Sequence, residues 1–221
     1  MSILDTIPFI KVKPKAPRQL ISEDWTEHSQ VLQSDVNMFC WQRPLDLKIT
    51  HYLKNFLPSD LSAIRSSIDK ENLHAQIKEA RSLWDNDENS EGDLFWQDVE
   101  NIVADFLEFS DHGTGVLHLR MVTNNACTKF HTDGYRLRLF STYHGPGTEW
   151  LPEDAINRDA LGTNNECIIV DPDKIRQMRA GHVAIFKGER PGRRNSVRGI
   201  VHRSPTIANT LEKRIILRVD I

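Results

Sequence analysis

His131-Thr132-Asp133, followed by His202 at 69 positions beyond the aspartate and by Arg214 twelve residues later, is the set of residue types best placed for chemistry. Residues i and i+2 of an extended segment project to the same side. An imidazole and a carboxylate spaced that way can grip one face of a metal ion. A second imidazole arriving from a distant strand completes a two-His, one-carboxylate set that leaves coordination positions open, an arrangement suited to non-haem Fe(II). The same donors are an acceptable set for Zn²⁺, which affinity alone would favour over ferrous iron. Arg214 adds a planar guanidinium fork that can take a carboxylate through two parallel hydrogen bonds.

These residues need a scaffold, and the sequence changes texture along its length. Leu45, Ile49, Tyr52, Leu53 and Phe56 form one apolar stripe at helical spacing; Leu61, Ile64 and Ile68, behind a Ser59 N-cap, form a second. Leu73, Ile77, Ala80 and Trp84 form a third, and Phe95, Val99, Ile102, Val103 and Phe106 a fourth, with Asp93 placed to cap it. From Gly115 the spacing alternates. Gly115–Val122, Lys129–Asp133, Arg136–Tyr143, Glu166–Val170, His182–Lys187, Ile200–His202 and Arg214–Asp220 read as short strands between Gly-, Pro- and Asn-rich turns. Val36–Trp41 is a further candidate strand, and residues 8–20 read as an extended basic arm. The organisation expected is an arm over 1–44, a helical region over 45–110 and a jelly-roll region over 111–221, integrated into one domain. The fold class is α+β: an N-terminal helical layer packed on a jelly roll of roughly eight strands.

On the last strand, Arg214, Ile216, Arg218 and Asp220 share one face, so both arginines can look into the same cavity. Gly145-Pro146-Gly147-Thr148-Glu149-Trp150 reads as a rigid turn that delivers Glu149 and Trp150 together, either to a substrate pocket or, for the tryptophan, to the core. Arg190, Arg193, Arg194 and Arg198 crowd one loop, most simply a solvated one; no aromatic residues are interleaved there to stack bases.

Bulk properties exclude several classes. A net charge of −3 gives no global attraction to nucleic acid or anionic membranes. No apolar run reaches the ~18 residues of a membrane span, and the N-terminus lacks a secretory leader pattern. Three widely spaced cysteines, with no CxxC, fit a reducing cytoplasm. No GxSxG, P-loop or GxGxxG motif is present. The expectation is a soluble cytoplasmic protein without a membrane or nucleic-acid partner.

Two resemblances add to this reading. The order His-x-Asp, then the glycine-led apolar strand Gly181–Phe186, then His202 and a following arginine resembles the double-stranded β-helix Fe(II)/2-oxoglutarate oxygenases. That resemblance implies Fe(II) and 2-oxoglutarate as cofactors, His131, Asp133 and His202 as metal ligands, and Arg214 (with Arg218 second) as the cosubstrate anchor. Tyr143 is then a candidate hydroxyl for a bound oxoacid, and Glu149, Trp150 and Arg138 are candidates to face a substrate, small molecule or protein, that the sequence does not name. More closely, Phe130–Asp133, Arg136–Leu139, GPGTEWLP, Lys187–Glu189 and His202-Arg203-Ser204-Pro205 resemble a bacterial family known as "domain of unknown function 1826". This second resemblance implies a link with bacterial zinc homeostasis, hence the alternative of a non-catalytic zinc-binding protein on the same three ligands.

Overall fold

The computed structural model describes residues 16–55, 63–84, 90–189, 197–207 and 212–221. Its centre is a strand that reads RIILRVD, Arg214–Asp220 (β10). Such a run, almost wholly buried, belongs in the middle of a sheet covered on both faces. β10 lies antiparallel between Thr114–Val122 (β4) and Leu137–His144 (β5). Beyond β4 comes Ala63–Asp69 (β3). Beyond β5 come Val183–Lys187 (β8), Val36–Trp41 (β2) and Arg18–Ser22 (β1). Among the described residues, only β1 and β2 pair in parallel. A second sheet of three short strands runs Arg176–Gln177 (β7), Glu149–Leu151 (β6) and Val201–Arg203 (β9). The result is a mixed α/β molecule with one large sheet.

Alternation decides what each face of the large sheet meets. Ile215, Leu217 and Val219 of β10 and Leu117, Leu119 and Met121 of β4 are buried in one cluster with Phe95, Val99, Ile102, Val103 and Phe106. Those last five lie on the helix Ser90–Phe109 (α3), which contacts Leu47–Asn55 (α1) and Leu73–Trp84 (α2). Fully burying one such side chain contributes about 1.5–3 kcal/mol, so this cluster fixes the orientation of the sheet. The opposite face carries β10's polar residues and, toward β8 and β2, a second apolar cluster in which Met38, Cys40, Ala184 and Phe186 meet Trp150, Met178 and Ile200 from the small-sheet side. The site lies on this second face.

Several expected elements come out differently. Ile64 and Ile68 lie on strand β3 and not on a helix. Residues four apart share a face in both conformations, so that pair does not discriminate; Ser59 and Leu61 lie outside the described residues, as does Phe56. Glu166–Val170 is not a strand: Asn165–Ile168 forms a single helical turn (α4), capped by the Asn164 side chain on the Cys167 N–H. Residues 18–20 of the expected arm are paired in β1. The N-terminal part therefore supplies three strands to the large sheet as well as the helices.

Candidate metal centre and carboxylate pocket

Lys129–Asp133 is a loop and not the strand its spacing suggests. One pairing survives there: the His131 N–H donates to the His202 carbonyl and the His202 N–H to the His131 carbonyl, each at 3.0 Å. This reciprocal bond ties the loop to β9 and sets the two imidazole rings 4.6 Å apart. Asp133 completes the cluster, with one ligand atom from each of His131, Asp133 and His202 lying within 4.8 Å of the others. His202 Nε2 is 3.3 Å from one Asp133 carboxylate oxygen, and His131 Nε2 is 3.7 Å from the other.

The tautomers follow from the outer contacts. His131 Nδ1 lies 2.8 Å from the Lys129 carbonyl and His202 Nδ1 3.3 Å from that of Ile200. A carbonyl only accepts, so each Nδ1 carries the proton and each Nε2 presents its lone pair to the common centre. Burial, with the adjacent His202 imidazole second, lowers the pKa of His131. Burial alone would raise the carboxyl of Asp133, but the adjoining His202 ring, Arg138 and His131 outweigh it and bring its pKa down to about 2. At neutral pH the carboxylate is therefore already ionised and His131 already neutral, the forms a metal needs.

Asp133 is held from two sides. Its carbonyl accepts from the Glu189 N–H at 2.6 Å. At the intervening Gly188, a Cβ would lie 2.4 Å from that same carbonyl oxygen and 2.3 Å from Tyr135's, so only glycine permits this close pass. From the other side, Arg138 Nη1 lies 2.6 Å from the Asp133 carboxylate while Arg138 Nε donates to Asp220. Arg138, expected to face substrate, is thus engaged by two buried carboxylates. Arg138→Lys keeps the charge but loses the fork that spans both. The expected outcome is about 10- to 100-fold weaker metal binding, read by competition titration, with the folded state retained.

Two of the candidate ligands, His131 and His202, line a cleft that Arg214, Arg218 and Thr148 also line. Phe140 and Phe186 wall His202, with ring centroids 5.8 and 4.9 Å from it. Arg214 is 1% exposed. Its Nε donates to the Pro146 carbonyl at 2.6 Å, while its Nη2 is buried with no hydrogen-bond partner among the described residues. Burial, with Arg120 nearby, lowers its pKa to about 10, so the guanidinium is still charged at neutral pH. Gly145 (φ +79°) makes this approach possible: a Cβ there would fall 2.1 Å from the Lys213 carbonyl oxygen.

Three other candidates sit elsewhere. Tyr143 is on the β5 face opposite Arg138, packed in the helix-side core with its hydroxyl donating to Asp98 at 2.6 Å. It does not reach the pocket, because strand alternation assigns the even-numbered residues of β5 to that side. Tyr143→Phe is expected to cost about 1–2 kcal/mol of stability in denaturant unfolding and to leave metal affinity unchanged, since Arg43 still pairs with Asp98 at 2.5 and 2.7 Å. Trp150 is 6% exposed and fills the space between the sheets, the core alternative for that turn. Glu149 is paired with Arg203 at 2.6 Å. It is Thr148, not its two successors, that lines the cleft.

Arg203 also lines the cleft. The sequence does not single it out, because a residue next to a ligand on a strand is expected to point away from it. It lies over the Phe130 ring, 4.4 Å from the centroid. Asp220 is buried, 3.1 Å from Arg218. Of the arginine-rich loop, Arg190, Arg193 and Arg194 lie outside the described residues, and Arg198 approaches Glu153 at 3.4 Å. No helix among the described residues is long and apolar enough to cross a membrane.

Comparison with known proteins places this geometry. The sequence profile of a protein family of unknown function, DUF1826, matches residues 22–220. No curated protein sequence matches the chain. Among solved structures, the Arabidopsis thaliana dioxygenase for auxin oxidation 1, in a binary complex with 2-oxoglutarate, superposes with a TM-score of 0.53 at 10% identity, over 92% of this chain and 91% of that one. A full-length Neurospora crassa protein, crystallised in complex with alpha-KG, superposes with a TM-score of 0.51 at 12% identity, over 95% and 86%. At such identities the likeness is one of fold.

Proposed function

The chain belongs to the DUF1826 family, and from its site we propose that it is an Fe(II)- and 2-oxoglutarate-dependent oxygenase of the hydroxylase type, on a double-stranded β-helix backed by its N-terminal helices. The observation that carries the proposal is the partnerless Nη2 of Arg214, buried in the same cleft that His131 and His202 line. A buried, unsatisfied donor on a charged group is costly. A carboxylate would satisfy it, and the cosubstrate brings one at its distal end.

The donor set fits the metal. His131 Nε2, Asp133 and His202 Nε2 would hold Fe(II), which with 2-oxoglutarate supplies O₂ activation coupled to release of succinate and CO₂. The rest falls to the side chains of this chain. The Lys129 and Ile200 carbonyls keep both imidazoles in the ligating tautomer. Arg138 orients the Asp133 carboxylate. Phe140 and Phe186 shield His202 from water on their side. Arg214 would bind and orient the distal carboxylate.

The test is O₂-dependent release of succinate from 2-oxoglutarate by the Fe(II)-loaded chain, with release expected to fail at limiting 2-oxoglutarate in Arg214→Ala. Tight Zn²⁺ binding with no succinate would contradict the oxygenase and favour a zinc-holding role. Such a role gives the buried nitrogen of Arg214 nothing to do.

A further inference from the structure

Beyond Arg214, the cleft carries more positive charge than one cosubstrate carboxylate calls for. Strand register puts Arg65, His118 and Arg218 in one row across β3, β4 and β10, and places Arg120 next to Ile216 in the adjoining row. Neighbouring strands lie roughly 4.8 Å apart, so these side chains form a strip from the cleft toward β3, the last strand of the sheet. His118, Arg120 and Arg218 line the cleft, and Arg65 continues the strip as an exposed residue.

The nearby carboxylates are already engaged. Asp220 serves Arg138 and Arg218, with His118 Nε2 at 3.5 Å; Asp133 serves Arg138 and His202; Glu149 serves Arg203. None of these ion pairs reaches Arg120 or Arg65. From this arrangement we infer that the substrate carries its own anionic group, a carboxylate or a phosphate, that docks on Arg120 and Arg218 at the mouth of the cleft, apart from the carboxylate held by Arg214. The inference rests on the oxygenase reading for the word substrate; the anion site stands on the strip alone.

Two further facts agree. Burial, then the charge of Arg138, lowers the pKa of Arg218, while Asp220 only partly compensates; an incoming anion would relieve that crowding. Burial and the neighbouring Arg218 bring His118 to a pKa of about 4. It is therefore neutral at pH 7 and offers a hydrogen bond without adding charge. The concave setting favours a small molecule over an extended polyanion, which would need a basic surface rather than a cleft.

The experiment uses the full chain, loaded with Zn²⁺ to block turnover and saturated with 2-oxoglutarate. It is titrated with inorganic phosphate in one arm and acetate in the other, at ionic strength matched by chloride, and binding is read by calorimetry. At least one anion is expected to bind, and Arg120→Gln to weaken it by about tenfold or more without changing metal uptake. Arg120 is exposed, so this variant is expected to fold; Arg218→Gln should repeat the loss. The arm that responds identifies the group. Equal binding of both anions by wild type and Arg120→Gln would overturn the inference. So would a single-stranded oligonucleotide that binds more tightly than either anion through Arg120. If wild type fails to bind 2-oxoglutarate yet still binds phosphate through Arg120, the oxygenase reading falls and the anion site survives.

Discussion

Arg214→Ala is expected to weaken 2-oxoglutarate binding by about a hundredfold or more while metal affinity changes little. Removing one partner of a buried, hydrogen-bonded charge pair typically costs about 2–5 kcal/mol, and Arg214 is both buried and incompletely bonded. Its Nε also holds the Pro146 carbonyl, so truncation loosens the Gly145–Gly147 turn as well. Arg214→Lys separates the two effects. A lysine keeps the positive charge but cannot satisfy the turn and the cosubstrate with one planar fork, so affinity should recover only in part. Calorimetry of 2-oxoglutarate on the Zn²⁺-loaded variants, alongside their melting temperatures, is the check. Unchanged 2-oxoglutarate affinity in Arg214→Ala would remove this residue from the site.

His202→Ala is expected to weaken metal binding by more than about 100-fold, since even outer contacts of a metal ligand are worth 10- to 100-fold. The backbone bonds joining residues 131 and 202 do not depend on the side chain, so the loop should stay tied to β9. His202 is 3% exposed and packed against Phe186, which makes His202→Gln the volume-conserving companion. Loss of metal in both variants, with the fold preserved by circular dichroism, places the effect in coordination and not in packing. Retention of full affinity would mean that His131 and Asp133 bind without it.

Much of this site is legible in the sequence because alternation on a strand is a hard constraint. It assigns Arg214, Arg218 and Asp220 to one face of β10, and Leu117, Leu119 and Met121 to the apolar face of β4, as the structure has them. What fails does so for local reasons. Ile64 and Ile68 are separated by four residues, a spacing that strand and helix share. In Glu166–Val170, a β-rich composition loses to the Asn164 side chain, which caps a helical turn. The oxygenase resemblance suggests Tyr143, on the strand that follows His-x-Asp, as a hydroxyl for a bound oxoacid, although its parity on β5 assigns it to the helix side.

The convergence of the ligands is less accessible. It depends on one pair of backbone bonds between residues 131 and 202, and on the passage of Gly188 beneath the loop, contacts between segments far apart in the chain. The role of Arg138 is hidden for a similar reason. Its two carboxylate partners come from different segments, and neither Asp133 nor Asp220 is marked by local sequence as belonging to it.

The most direct test of the central claim is optical. Wild-type protein is loaded with Fe(II) under anaerobic conditions and 2-oxoglutarate is added while the visible spectrum is followed. A charge-transfer band is expected that appears with the cosubstrate, is absent in His202→Ala, and needs far more 2-oxoglutarate in Arg214→Ala. An iron-loaded wild-type protein with no new band at saturating 2-oxoglutarate would contradict the claim.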